Sequence, residues 1–168
     1  MLFDYLVKNK KRPTTPYSVA MITLDDNECV SNTLKNVIPY VVDDFVVVDG
    51  GSTDGTLSIL KEHSSDIKLL EKKWDDNFEI QKNYALDNTN NDWRILIDAD
   101  ESFDHLLWNQ IPWHIWAADQ EGIDCISLPR INIVDDLTHD MVENQGWQLS
   151  FFNWINYPDY QERIYKKN

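Results

Sequence analysis

An α/β fold, a mostly parallel sheet flanked by helices in a single domain, is predicted for this 168-residue chain from three observations. Short apolar runs alternate with helical patterns over the first hundred residues, β-branched residues gather in the runs, and acidic or glycine-rich turns close them. The first run is Tyr17–Leu24, with Pro13 and Pro16 discouraging helix ahead of it. Asp26 or Asn27 then stands where it could cap a helix that carries Val30, Leu34 and Val37 on one face and ends near Pro39. Phe45-Val46-Val47-Val48 is a continuous apolar run of the kind found in strands covered on both faces. The turn-forming loop Asp49–Gly55 leads into a helix over Thr56–His63, with Leu57 and Leu60 on one side. A strand at Ile67–Leu70, a helix around Phe78–Leu86 and a strand at Trp93–Ile97 repeat the unit. Asp104–Ala118 has helical spacing, and Pro112 predicts its division into two pieces. Cys125–Leu128 reads as a fifth strand, whereas Trp147–Trp154 fits strand, loop or short helix.

Composition narrows the partners. The charge of −14, from 29 acidic against 15 basic residues, argues against nucleic-acid binding and against docking on an anionic membrane, and favours a cation. A hydrophobic fraction of 42% with seven Trp, seven Tyr and six Phe is too apolar for a disordered chain. Cys29 and Cys125 lack a CxxC partner and are expected to be buried thiols in a reducing, cytoplasmic setting. Met1–Arg12 begins apolar and ends in Lys8, Lys10, Lys11 and Arg12, the reverse of a secretory leader, and no stretch has membrane-spanning length.

In open α/β sheets, ligands occupy the crevice beyond the carboxyl ends of the strands. Asp25 and Asp26 follow the first run, Asp49 the second, Asp98 and Asp100 the fourth. Any one alone is an ordinary turn residue. Asp98-Ala99-Asp100 says more, because two carboxylates one small residue apart are able to address one divalent ion whose shell a nucleotide diphosphate completes. Such an ion neutralises charge developing on a diphosphate leaving group. In Asp49–Thr56 the glycines allow close approach of a ligand, Asp49 has an acceptor suited to a pyrimidine N3–H, and Asp54 suits capping of the next helix.

Val46-Val47-Val48-Asp49-Gly50-Gly51-Ser52-Thr53-Asp54-Gly55-Thr56 resembles the signature of family-2 glycosyltransferases. Ser18–Thr23 with Asn27-Glu28 is similar to the first strand and turn of that family, Phe78–Leu86 to its F-x-x-Q-(K/R)-N-x-A-L helix, and Trp93–Glu101 to its segment ending D-A-D-E. Weaker likeness extends to Leu128–Asn132 and Tyr157–Tyr165. The resemblance implies a GT-A (Rossmann-like) fold with an N-terminal extension over 1–16, a nucleotide-sugar-binding half over 17–101 and a shortened acceptor half over 102–168. Thr23 and Glu28 would line the nucleoside pocket, Asp49 meet the base, Asp98 lie near the ribose and at the metal, and Asp100 bind the metal. Lys72 or Lys73, Lys82 and Arg163 would contact base or phosphate, and His139 would be a third metal ligand. Gln81 and Asn83 fall near the donor or serve a structural hydrogen bond.

The activity so implied is metal-dependent transfer of a sugar from a nucleotide-sugar donor, a UDP-sugar with Mn²⁺ or Mg²⁺, to a hydroxyl acceptor such as a glycan, with inversion. Inversion needs a carboxylate base at the acceptor hydroxyl. Asp159 is the first candidate, ahead of Asp136 and Asp135, and Trp147 and Trp154 are candidates for acceptor stacking. The alternatives are a nucleotide-sugar-binding module without transfer, and a nucleotidyltransferase; the latter wants a basic, glycine-rich triphosphate loop near the N-terminus that is not seen.

Overall fold

The structure, a computed structural model, describes residues 14–41 and 44–167, so the basic Met1–Arg12 segment lies outside the described residues. The elements are β1 (Tyr17–Thr23), α1 (Val30–Val37), β2 (Phe45–Asp49), α2 (Thr56–Glu62), β3 (Lys68–Glu71), α3 (Phe78–Asp87), β4 (Trp93–Asp98), α4 (His105–Glu121), β5 (Cys125–Asn132), α5 (His139–Gln145) and β6 (Ile155–Lys166). The strands hydrogen-bond in the order β3-β2-β1-β4-β6-β5. β1 pairs in parallel with β2 and β4, β2 with β3 in parallel, and β4 with the end of β6 antiparallel. A mostly parallel sheet flanked by helices, as predicted, is the result.

The β-branched runs are buried on both faces. Ala20, Ile22, Val46, Val48 and Leu96 pack with Ala85 of α3, and Leu70, Trp74 and Tyr84 close the margin. Their alternates Val19, Met21, Val47, Ile95 and Ile97, which point to the other face, are all 0% exposed. Each strand thus sits between two apolar layers, and its chain direction is free to carry polar residues only at its ends.

Chain contacts divide the molecule into two compact units, one of residues 1–125 with 164–168 and one of 126–163. The first contains β1 to β4 and α1 to α4. The second contains α5 with most of β5 and β6.

Three expectations are corrected. Pro112 does not split the helix: α4 runs unbroken with Trp108, Ile111, Ile115 and Ala118 buried, so one apolar face stays continuous through the proline and offsets the backbone hydrogen bond it removes. Neither Asp26 nor Asn27 caps α1 through its side chain; the N-cap is Cys29. Both cysteines are exposed, Cys29 in that turn and Cys125 at the start of β5, because neither position lies on a covered face.

Candidate nucleotide-sugar site

The strand register builds the site. Thr23 pairs with Asp49, Asp49 with Glu71 and Ile22 with Asp98, so the four carboxyl ends of β1 to β4 lie along one edge of the sheet. Two loops at that edge are stitched together by side chains. Asp25 N donates to Ser52 Oγ (2.9 Å), and Asp25 Oδ1 accepts from Thr53 N (2.6 Å). Asn27 N donates to Asp54 Oδ2 (3.0 Å), Asn27 Nδ2 to Asp54 O (2.8 Å), and Asp26 N to Thr56 Oγ1 (2.9 Å). Asp54 also accepts from Thr56 N and Oγ1, and these bonds hold its carboxyl below the usual range. Asp54 is thus not the expected cap of α2, whose N-cap is Gly55 with no side-chain cap bond; it bonds Thr56 in the first turn and ties that turn to the loop before α1.

Asp49 is 0% exposed. Its Oδ1 accepts from Gly51 N (2.9 Å) and Ser52 N (3.0 Å), and its Oδ2 from Ser52 Oγ (2.6 Å). In this arrangement the carboxylate presents no surface to a base; it holds its own loop closed. The two glycines serve that closure. A Cβ at Gly50 would meet Leu24 Cβ, Leu24 Cδ1 and Thr23 O at 3.3 Å each, and Gly51 adopts φ +101°. Thr23, 4% exposed, donates its hydroxyl to Asp26 Oδ2 at 2.9 Å.

The turn after β4 is organised differently. Lys82 Nζ of α3 lies 2.8 Å from Asp98 Oδ1, both side chains about three-quarters covered. Glu101 Oε2 accepts from Asp98 N (3.3 Å), and Glu101 N donates to Asp98 O (3.0 Å). Asp100 is exposed and its carboxylate has no hydrogen bond or ion pair among the described residues. Two predicted site residues, Lys82 and Asp98, are thus brought into contact beside an uncommitted carboxylate.

Sequence reasoning missed what fixes this turn. Thr33 of α1, 2% exposed, donates to Ala99 O (2.6 Å) and lies 3.1 Å from Glu101 O. Asn36, one turn on, bonds Phe103 through both its N–H and C=O and accepts from Trp108 Nε1 at 2.9 Å. The signal was a threonine at the helical spacing of Val30, Leu34 and Val37: a polar group on a buried face needs a partner. Trp108, stacked on Tyr40 at 5.6 Å, belongs to this packing.

Of the remaining candidates, Glu28 and Lys73 are exposed. Lys72 Nζ donates to Gln81 Oε1 (3.0 Å) while Gln81 Nε2 donates to Lys72 O (2.8 Å), so the structural hydrogen bond is the one Gln81 makes. Asn83 is exposed.

The second unit is described by itself. Asp159 accepts from Arg130 Nη2 (2.7 Å) and Nε (3.0 Å), Asn132 Nδ2 (3.2 Å) and Gln161 Nε2 (2.8 Å). Hydrogen bonds from Asn132, Arg130 and Gln161 hold its carboxyl below the ordinary range, which makes it a weak base with its lone pairs already used. Asp136 and Asp135 are exposed, Asp136 at φ 51°. His139, the candidate third metal ligand, has Nε2 3.2 Å from Glu143 Oε1 on its own helix. Arg163 is 6% exposed and has partners within the fold. Among the described residues no group of three or more His, Cys, Asp and Glu side chains is gathered to hold a metal.

The lowered Asp159 pKa has a testable sign. Its stabilising contribution is complete above the ordinary aspartate range and is lost as pH falls through the depressed folded value. Asp159→Asn is expected to flatten the fall of Tm below about pH 4; a melting series with the wild-type slope would contradict the pairing.

The family model described as glycosyl transferase family 2 matches residues 18–166. The SPbeta prophage-derived glycosyltransferase SunS of Bacillus subtilis is 29% identical over 134 residues, which cover 78% of this chain and 31% of SunS. Among solved structures, the mannosyltransferase PcManGT of Pyrobaculum calidifontis, in complex with GDP-Man and Mn²⁺, has a TM-score of 0.61 at 20% identity, covering 92% of this chain and 46% of that one. Glucosyl-3-phosphoglycerate synthase of Mycobacterium tuberculosis, in complex with UDP, has a TM-score of 0.58 at 17% identity, covering 99% of this chain and 61% of that one. The chain therefore spans less than two thirds of the length of each of these proteins, and with the two solved structures it shares the GT-A fold. By the match along nearly its whole length, this chain belongs to glycosyl transferase family 2.

Proposed function

We propose that the chain transfers a sugar from a UDP-sugar to a hydroxyl acceptor, with inversion, using a divalent cation held by Asp100 and Asp98. The observation that supports this reading is the uncommitted Asp100 carboxylate beside the Asp98–Lys82 pair at the carboxyl edge of the sheet. Two carboxylates suit Mg²⁺ or Mn²⁺, which are commonly held by one or two protein carboxylates with substrate phosphates and water completing the shell. When bound, the ion supplies Lewis-acid neutralisation of the leaving diphosphate. The related folds crystallised with UDP, and with GDP-Man and Mn²⁺, agree with that chemistry.

The residues of the chain then take distinct parts. Lys82 offers a cation beside Asp98 that is able to turn to a phosphate oxygen. Asp49 shapes the loop on which the nucleoside rests, while Thr23 and Glu28 border it. Thr33 holds the Asp98–Glu101 turn, and Asn36 the following Phe103, in place before the donor arrives, so little ordering remains to be done on binding. Within the second unit the lone pairs of Asp159 are taken, which leaves the exposed Asp136 the better candidate for a general base.

A thermal-shift panel of UDP-, GDP- and dTDP-sugars with and without Mn²⁺ tests the donor. At about 100 times its Kd a ligand stabilises by about 2.7 kcal/mol, which raises Tm by about 5–10 °C in a chain of this size. That rise is expected for UDP-sugars with Mn²⁺, together with slow release of UDP. Equal rises for all three donors, or none, defeat the assignment; a UDP-sugar rise without released UDP leaves a binding module instead.

A further inference from the structure

Within the second unit lies an open cavity of about 520 Å³ that none of Thr23, Glu28, Asp49, Lys82, Asp98 and Asp100 lines. Leu137, Val142, Leu149, Phe152 and Trp154 supply its apolar wall, and His139 also lines it. This wall is incompletely covered: Phe152 is 66% exposed, Leu149 43% and the neighbouring Phe151 94%. The rings do not scatter. Phe152 lies 5.1 Å from Trp154, and Trp154 4.9 Å from Tyr157, so the exposed aromatics form one contiguous surface. Contiguous apolar area of this kind on a charged protein marks a place where something binds.

Charge says what binds. Asp135 and Asp136 stand between lining residues Val134 and Leu137, Asp140 follows His139, and Glu143 holds the His139 ring. All four carboxylates are exposed, and no Lys or Arg occurs between Ile131 and Glu162. An apolar cavity on a segment whose charged side chains are all exposed carboxylates is complementary to a cationic ligand bearing an apolar group. A second copy of this chain, at −14, is repelled by the same carboxylates. The backbone adds a further feature. β5 is the edge strand of the sheet and ends at Asn132, directly before the lining residues Ile133 and Val134. An edge strand offers unpaired main-chain groups to an extended segment.

We infer that this surface is a docking site for an extended, lysine- or arginine-rich peptide segment that places a large apolar side chain in the cavity. The inference does not rest on the donor assignment and is tested without it. Three fluorescently labelled, capped octapeptides serve as probes: alternating lysine and phenylalanine, alternating lysine and serine, and alternating glutamate and phenylalanine. Fluorescence anisotropy is read against wild type, Phe152→Ala and the double variant Asp140→Asn/Glu143→Gln. The lysine–phenylalanine peptide is expected to bind wild type at least about tenfold more tightly than either other peptide, and about tenfold more weakly to Phe152→Ala. The double variant, which alters only exposed carboxylates, should weaken it about threefold or more and make binding less sensitive to salt.

Equal affinity for the lysine–serine peptide would reduce the effect to charge alone and overturn the proposal, as would equal affinity for the glutamate–phenylalanine peptide. So would unchanged binding by a folded Phe152→Ala. Concentration-dependent self-association that Phe152→Ala removes, seen by sedimentation, would make the face an interface between copies. Binding to neutral phosphatidylcholine vesicles that the same substitution removes would make it a lipid surface. Either result replaces the peptide reading.

Discussion

Asp100→Ala is expected to abolish the Mn²⁺-linked rise in Tm produced by a UDP-sugar while leaving the Tm of the unliganded protein almost unchanged. The two halves of this result come from one fact. Asp100 is exposed and its carboxylate bonds to nothing among the described residues, so its removal costs the fold no more than an ordinary surface substitution, about 0.5 kcal/mol. The same freedom is what a cation ligand requires. If Asp100 is that ligand, charge stabilisation of several kcal/mol is withdrawn from the leaving group, and turnover falls about 100-fold or more. Isothermal titration with UDP and Mn²⁺, run beside a melting curve, separates the two halves. A variant that binds UDP with the wild-type dependence on Mn²⁺ would remove Asp100 from the metal.

Asp49→Ala should behave in the opposite way, with stability as the first casualty. Three donors from one short loop converge on this buried carboxylate, and the alanine leaves them to find water or stay unpaired. Hydrogen bonds to a charged acceptor contribute more than neutral ones, and the exposed side of the loop recovers some of the loss by hydration, which places the cost at about 3 kcal/mol. For a chain of this size that is a Tm lower by about 6–12 °C. Asp49→Asn, which keeps an acceptor oxygen, should lose less. Donor binding weakens in both because the loop is no longer held. Should Asp49→Ala melt like wild type and lose only its preference among bases, the carboxylate would be a base contact and the loop would be held by something else.

The contrast between these two aspartates shows where sequence reasoning reaches. Both were legible as strand-end acids, because apolar runs such as Val46-Val47-Val48 and Trp93–Ile97 place their ends unambiguously and the register aligns them. Which of them faces outward was not legible, since that depends on Ser52 and Gly51 folding back on Asp49 and on no described residue bonding the Asp100 carboxylate. The pairing of Lys82 with Asp98 joins two elements that the sequence named separately. α5 and β6 went unread for physical reasons: α5 buries none of its residues, and β6 carries a proline and shows no regular alternation of buried and exposed positions, so neither has the periodicity that identifies an element. Pro112 misled because local propensity was overruled by a buried helical face.

The bonds that run from Asp25 to Ser52 and Thr53, and from Asn27 to Asp54, carry a practical message for anyone altering donor preference. Each segment is the template on which the other sets, so replacing one with its counterpart from a relative breaks a lock whose key has been left behind. The two stretches need to be transplanted together, as a cassette from Leu24 through Thr56 that includes the strand between them.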